Sequence, residues 1–179
     1  MGRGENEFGT NDEWCTPPEV YEPVLKALRI DRFGIDPFGH PRSTVPAEHR
    51  IFLPQYGLRA QENDFVGDAF DFDWSGFGPA FCNGPFSNCP PWAEQVYGER
   101  GGDENVSLWP ARTSAVWWQR WVAPSDAILF WAGRMKFVGA RHTAPFHCAL
   151  SYVGPRADLF AEGVRHLGWV VRNDRDWST

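Results

Sequence analysis

The sequence predicts an α/β fold in which helices cover a single sheet. Short apolar runs typical of buried strands alternate along the chain with segments that carry helix start and stop signals. Two later apolar runs, 135–138 and 146–153, are close enough in sequence to pair as an antiparallel hairpin. No repeat or linker divides the chain, so we expect one domain over residues 13–179 after a mobile, glycine- and charge-rich segment over residues 1–12.

The first helix is predicted to begin at Thr16. This residue suits the N-cap position, Pro17 suits the first helical position, and Glu19 has the spacing of a capping box. Apolar residues at helical spacing continue the pattern through residues 20–28. Pro23 lacks a backbone donor, so the helix is expected either to kink or to begin later.

The remaining elements alternate between strand and helix. Residues 39–61 are predicted to be irregular, and residues 62–74 form an acidic, aromatic stretch with no predicted element. Strands are predicted at 33–37, 79–83, 105–109, 127–131 and 169–172, and helices at 91–100, 114–122 and 158–167.

Composition indicates a soluble globular protein. The chain has 179 residues, 42% hydrophobic and 22% charged, which is enough to build a core. The net charge of -6 and the pI near 5.3 argue against a protein that holds nucleic acid by bulk charge, but they leave local basic patches open. No apolar run approaches the roughly 20 residues of a membrane helix, and no signal peptide precedes the domain, so we expect a cytoplasmic protein.

The four cysteines have no metal-binding or catalytic signature. They form no Cys-x-x-Cys pair and no Cys/His ligand spacing, so we expect free thiols and no bound metal. The residue order around Cys82 and Cys89 does not match a cysteine that attacks a pyrimidine ring. The five histidines are scattered along the chain, and no pattern gives any of them a catalytic role.

The stretch 81–87, Phe-Cys-Asn-Gly-Pro-Phe-Ser, suits a site that holds a flat, amine-bearing ring at the end of a strand. The side-chain oxygen of Asn83 can accept one amine hydrogen, and the backbone carbonyl of Gly84 can accept the other. Pro85 completes the turn, and the ring of Phe86 can stack on the heterocycle, as in the recognition of extruded bases. We therefore predict that Asn83, Gly84, Pro85 and Phe86 are the catalytic residues.

Several segments in the same order resemble the phage-type DNA N-6-adenine methyltransferase (Dam) family. They are 13–17, 35–37, 68–70, 73–76, 81–87, 108–113, 133–137 and 144–146. The resemblance implies a Rossmann-like fold that uses S-adenosylmethionine, with a mostly parallel sheet and a C-terminal antiparallel hairpin. It implies methyl transfer to the exocyclic N6 amine of adenine in DNA. It also implies a phage- or prophage-encoded enzyme in the bacterial cytoplasm that protects DNA from restriction.

The resemblance also assigns a cofactor site. By their match to the family's motifs X and I and to its Asp-Gly-Leu element, the predicted cofactor residues are Thr16, Pro17, Asp36, Pro37 and Asp68. Ligands in open sheets bind beyond the carboxyl ends of the strands, so we expect Asp36, Asp68 and Asn83 around one crevice. The chain departs from the family's Asn-Pro-Pro motif IV at one position, where Gly84 replaces the first proline.

DNA is the implied partner, and four basic residues that follow or flank predicted strands are candidate phosphate contacts. They are Arg112, Arg134, Lys136 and Arg141. No segment outside 13–153 is large enough for a separate recognition domain, so sequence preference would come from the loops 39–61 or 138–147 or be low. A monomer or a weak homodimer is expected.

Two other functions stay open at this level. The motif around Asn83 also suits enzymes that modify cytosine N4 or a protein amide, or that transfer another group, and Gly84 favours this alternative. A relative without catalytic activity that binds DNA or a protein is the third possibility. Product analysis separates the enzymes, and weak or absent binding of S-adenosylmethionine would indicate the binding protein.

Overall fold

A computed structural model describes residues 12–58, 62–98 and 101–173, and it confirms the α/β fold. The described residues form one 8-stranded sheet flanked by α-helices. The helices are α1 (Pro18–Leu28), α2 (Cys89–Tyr97) and α3 (Ala157–Val164). The strands are β1 (Phe33–Gly39), β2 (Ala47–Phe52), β3 (Asp64–Val66), β4 (Ala80–Cys82), β5 (Asn105–Pro110), β6 (Ala127–Trp131), β7 (Cys148–Val153) and β8 (Gly168–Arg172).

The sheet is parallel on one side and antiparallel on the other. The strand order is β3-β2-β1-β4-β5-β7-β6-β8, and the pairs from β3 to β5 are all parallel. The chain builds β1, β2 and β3 outward in one direction and then returns to add β4 on the other side of β1. The boundary between β1 and β4 is therefore the topological switch point, where ligands bind in open α/β sheets.

The predicted antiparallel strands near the C-terminus are confirmed, but the predicted hairpin partner is wrong. Strand β7 pairs with β5 and β6, whereas residues 135–138 form no strand. They belong to a long connection, residues 132–147, which we call the β6–β7 loop. Within residues 135–138, buried and more exposed side chains alternate. Met135 and Phe137 are each 2% exposed because they pack into the core. The alternation therefore imitates a strand.

The structure adds two strands that the sequence analysis did not predict. Strand β2 lies in the segment predicted to be irregular, and β3 lies in the acidic, aromatic stretch. Strand β2 has polar residues at Glu48, His49 and Arg50, and its buried residues stand only at its ends. Strand β3 is three residues long and forms the edge of the sheet. Both strands are therefore too polar or too short to show the usual apolar pattern.

The core lies on both faces of the central strands. Every residue of β4 and β5 is buried, as expected for parallel strands covered on two sides. The indoles of Trp92 on α2 and Trp109 on β5 stack with centroids 3.6 Å apart and join helix to sheet. On the other face α3 approaches α1 closely at Gly163, where an added Cβ would lie 2.3 Å from the Cβ of Ala27.

The helix ends differ from the predictions in detail. Helix α1 begins at Pro18 with Pro17 at the N-cap, so the predicted N-cap role of Thr16 is wrong. Most of the predicted helix at 114–122 is a single π-helical turn at Trp118–Val122.

Of the segment predicted to be mobile, residues 1–11 lie outside the described residues. No described helix has the length and apolar character needed to cross a membrane.

Candidate functional site

A pocket of about 380 Å³ lies at the switch point between β1 and β4. This volume is in the range of small-molecule sites. Predicted site residues in its lining are Thr16, Asp36, Pro37, Asp68, Asn83 and Pro85. The expected convergence of Asp36, Asp68 and Asn83 is therefore confirmed. The other predicted residues, Pro17, Gly84 and Phe86, do not line this pocket, and each is buried.

Asn83 stands directly after β4, and its side-chain amide has a defined orientation. The amide nitrogen Nδ2 donates to the carbonyl of Trp14 and to the hydroxyl of Thr16, the latter at 3.0 Å. The oxygen Oδ1 is buried and accepts no hydrogen bond from any described residue. A buried acceptor without a donor costs free energy, so this atom is the natural partner for a donor on a ligand.

Gly84 is required by the packing of α2. A Cβ at this position would lie 2.8 Å from Cδ2 of Trp92, closer than real Cβ contacts. The indole cannot easily move, because it stacks on Trp109 and its Nε1 donates to the carbonyl of Pro85 at 3.1 Å. A proline would face the same contact, so Trp92 explains why this chain departs from the Asn-Pro-Pro motif.

The ring of Phe86, which is predicted to stack on a heterocycle, belongs to an aromatic cluster. The side chain is 3% exposed, and its ring lies 6.0 Å from Phe137 and 5.5 Å from Phe146. Trp14 packs on the same two rings. The cluster therefore joins the turn after β4 to the β6–β7 loop and to residues 12–16, which we call the N-terminal strap.

Asp36 is a buried carboxyl in the pocket wall. It is 3% exposed, and its Oδ1 accepts a hydrogen bond from the backbone N–H of Phe38 at 3.1 Å. Burial raises its pKa to about 7, against smaller opposing effects of the Phe38 hydrogen bond and the charge of Arg50. A ligand with a positive charge would favour the ionised form of this carboxyl.

The raised pKa makes stability depend on pH. Between the ordinary pKa of 3.8 and about 7, the unfolded chain releases a proton that folded Asp36 retains. The contribution of Asp36 to the free energy of unfolding therefore falls as pH rises through that window and is constant above it. Asp36→Asn keeps an acceptor for the N–H of Phe38 but does not titrate. We therefore expect the free energy of unfolding of this variant, relative to that of the wild type, to increase as pH rises from about 4 to about 8. Urea unfolding of both proteins measures this, and a difference independent of pH would contradict it.

The other predicted cofactor carboxylate is held differently. Asp68 is exposed and its Oδ1 accepts from the N–H of Phe70 at 3.1 Å, which caps the short helical turn Ala69–Asp71. This turn places Phe70 beside the pocket, where Phe38 packs on it at 6.4 Å. Asp68 thus orders this wall of the pocket as well as lining it.

Sequence reasoning missed His40 and Tyr56, which line the same pocket. The Nδ1 of His40 accepts the backbone N–H of Arg42 at 3.1 Å and lies 3.3 Å from Sγ of Cys15. Burial lowers the pKa of His40, and its ring packs edge-on against Tyr56 at 5.0 Å. The position of His40 just after the Asp-Pro pair was a usable signal, but Tyr56 gave none because β2 was not predicted.

The pocket is acidic. Its described lining includes Asp12, Glu13, Asp36 and Asp68 but neither Lys nor Arg. Such a surface favours a cationic ligand and repels phosphate. The predicted phosphate contacts all lie outside the pocket on exposed surface, at Arg112, Arg134, Lys136 and Arg141.

The cysteines are buried, free and unsuited to nucleophilic attack. Burial raises the pKa of Cys15 to about 11 and those of Cys89 and Cys148 to about 12, and it raises that of Cys82 further, so all four are neutral thiols at pH 7. In the described ranges no group of three or more His, Cys, Asp and Glu side chains is arranged to hold a metal ion.

Comparison with known protein families identifies a match over most of the chain. Residues 5–149 match the model of a family described as DNA N-6-adenine-methyltransferase (Dam). This range includes the residues that line the pocket, the whole N-terminal strap and the β6–β7 loop. A search of curated proteins found no match.

Proposed function

Because the chain belongs to the DNA N-6-adenine-methyltransferase (Dam) family, we propose that it transfers a methyl group from S-adenosylmethionine to the exocyclic N6 amine of adenine in DNA. The family supports a DNA methyltransferase, and the pocket supports the particular acceptor. The observation that carries the proposal is Oδ1 of Asn83, a buried acceptor at the switch point without a donor among the described residues.

The amine is held by two acceptors from the turn after β4. Oδ1 of Asn83 accepts one hydrogen of the amine, and the backbone carbonyl of Gly84 accepts the other. The lone pair of a ring amine is delocalised into the ring, and two acceptors favour a nitrogen whose lone pair is directed out of the ring plane. Positioning and charge placement of this kind lower the barrier without a strong base.

The acidic pocket fits S-adenosylmethionine, whose sulfonium and ammonium groups outweigh its one carboxylate. The chemistry that this cofactor supplies when bound is an activated methyl group. Asp36 and Asp68 would bind its positively charged and polar groups, and the wall formed by Phe38 and Phe70 would hold its adenine ring. His40, neutral and already hydrogen-bonded, would form a further part of the wall around the cofactor.

DNA phosphates would contact the basic surface beside this pocket. Residues 105–147 hold five of the 17 Lys and Arg residues but one of the 23 Asp and Glu residues. Strands β5 and β6 run in the same direction as β4, so the segments after them reach the same edge of the sheet as Asn83. That edge carries Arg112 after β5 and the exposed Arg134, Lys136 and Arg141 of the β6–β7 loop.

Removing the three basic residues of the β6–β7 loop tests this surface. We expect Arg134→Gln, Lys136→Gln and Arg141→Gln together to weaken DNA binding at least tenfold and to lower the salt slope of the affinity by about two to three units, as expected when phosphate contacts are lost. The matched control changes three exposed cations elsewhere, Lys26→Gln, Arg32→Gln and Arg165→Gln. Equal loss in both triple variants would contradict a specific DNA surface.

Nucleoside analysis tests the reaction itself. The purified protein is incubated with DNA and S-adenosylmethionine, and the digested nucleosides are measured by mass spectrometry. Methyl addition to deoxyadenosine supports the proposal. Methylated deoxycytidine would move the acceptor to cytosine N4, and an unmodified product with several DNA types would overturn methylation of DNA. Because packing against Trp92 explains the glycine at position 84, Gly84 does not favour an acceptor other than the adenine amine.

A further inference from the structure

The N-terminal strap contacts the candidate catalytic amide directly. Both hydrogen bonds of the Asn83 Nδ2 group go to this segment, one to the carbonyl of Trp14 and one to the hydroxyl oxygen of Thr16 at 3.0 Å. By its resemblance to the family's motif X, Thr16 is expected to bind the cofactor, yet its hydroxyl is directed at Asn83. Thr16 is also 2% exposed, so its hydroxyl has few alternatives.

These two contacts decide which end of the amide faces the base. An amide has two donor hydrogens on nitrogen and only acceptor capacity on oxygen. If the Asn83 amide were rotated by half a turn, Oδ1 would meet the Trp14 carbonyl, and two acceptors would face each other without a hydrogen. The observed orientation therefore leaves Oδ1 as the group without a partner.

We propose that the N-terminal strap is a positioning element, in which the Trp14 carbonyl and the Thr16 hydroxyl hold the Asn83 amide with its oxygen toward the target base. The site then accepts a ring amine and rejects a ring keto oxygen at the same position. The proposal rests on the proposed function, because it takes a nucleobase as the group that meets Asn83.

The strap is anchored strongly enough to impose this orientation. The indole of Trp14 packs against Phe137 at 5.0 Å and Phe146 at 5.7 Å. The carbonyl of Cys15 accepts the backbone N–H of Val138 at 3.0 Å. The strap is thus attached to the β6–β7 loop through both side chains and backbone, and the Trp14 carbonyl cannot turn away without breaking these contacts.

The first residues of the strap are held from two further sides. Asp12 accepts from the backbone N–H of Ser87 at 2.9 Å and from its hydroxyl at 2.6 Å, so the strap also meets the end of the turn that contains Asn83. Glu13 pairs at 2.9 Å with Arg42, which lies in the connection between β1 and β2. These hydrogen bonds and this ion pair add to the contacts that hold the strap in one arrangement.

Side-chain amide exchange tests the orientation in the free protein, independently of turnover. In ¹⁵N-labelled protein the Asn83 side-chain signals are identified by their loss in Asn83→Ala, and the exposed Asn88 is the internal reference. We expect both Asn83 hydrogens to exchange at least about tenfold more slowly than those of Asn88. We expect Thr16→Val to speed one of them and Thr16→Ser to restore it. Exchange of both Asn83 hydrogens at the rate of Asn88 in the wild type would overturn the proposal.

Kinetics separate positioning from cofactor binding. Thr16→Val removes the hydroxyl at nearly constant shape, and we expect kcat to fall about tenfold while the Kd for S-adenosylmethionine and the KM for DNA stay unchanged. Thr16→Ser, which keeps the hydroxyl, should recover most of kcat. A raised Kd for the cofactor with unchanged kcat would assign Thr16 to the cofactor instead and would overturn the proposal. If the wild type methylates no DNA, the proposed function fails, and the exchange measurement still decides the orientation.

Discussion

An Asn83→Ala variant is expected to lose at least about 100-fold in kcat for adenine methylation while binding S-adenosylmethionine as the wild type does. The substitution removes Oδ1, the acceptor that the described residues leave unpaired, and leaves the carboxylates of the pocket in place. It acts on the transition state more than on substrate binding, because the acceptor matters most as the lone pair leaves the ring plane. Single-turnover methyl transfer and cofactor titration give the two quantities separately.

The control for this experiment is Asn88→Ala. Asn88 lies five positions along the same turn, is exposed, and precedes α2 without a side-chain hydrogen bond to the helix. We expect its activity to match the wild type. Unchanged kcat in Asn83→Ala would remove Asn83 from the catalytic role. An equal loss in both variants would show that the change disturbs the turn and not the acceptor.

The part of the fold that sequence predicts most closely is the part whose buried residues are largely apolar. Strand β6 is an uninterrupted apolar run and every residue of β5 is buried, and the predicted bounds differ from the observed ones by at most one residue. The helix predicted at 158–167 is observed as α3, Ala157–Val164, followed by the short helical turn Arg165–Leu167. These segments carry their burial in their own residues, so no distant partner is needed to recognise them.

The missed elements depend on neighbours that are distant in sequence. Strand β2 has three polar residues in its middle and is defined by its pairing with β1. The buried residues of the β6–β7 loop pack on Phe86 and Trp14, and this produced a false strand prediction at 135–138. Local pattern cannot separate a residue buried by a loop from one buried by a strand.

The candidate site shows the same division. Asp36 lies in the middle of β1, Asp68 comes shortly after β3 and Asn83 directly follows β4, so topology alone was enough to bring them together. The contact of Thr16 with Asn83 joins residues 67 positions apart and has no local signal. The raised pKa of Asp36 likewise arises from burial by the assembled sheet. Sequence therefore predicted that the three residues lie around one pocket, but not the hydrogen bond that orients Asn83 or the raised pKa of Asp36.

The glycine in the turn after β4 is expected to be among the least replaceable residues of the chain. A Cβ added at Gly84 would lie 2.8 Å and 2.9 Å from Cδ2 and Cε2 of Trp92, which is fully buried. The indole is a rigid group stacked on Trp109 at 3.6 Å, so the contact is relieved only by moving the helix or the turn. We expect Gly84→Ala to destabilise the protein by about 1–3 kcal/mol, and Gly84→Pro by more.

A double-mutant cycle with Trp92 identifies the cause. Trp92→Leu alone loses the stacking contact and the hydrogen bond to the Pro85 carbonyl, so it is destabilising by itself. In that background the added Cβ no longer meets an indole, and Gly84→Ala should cost at least about 1 kcal/mol less than in the wild type. Urea unfolding of the four proteins gives this interaction energy. Additive costs would mean that Gly84 is required for its backbone and not for its neighbour, and the packing explanation for the missing proline would then be wrong.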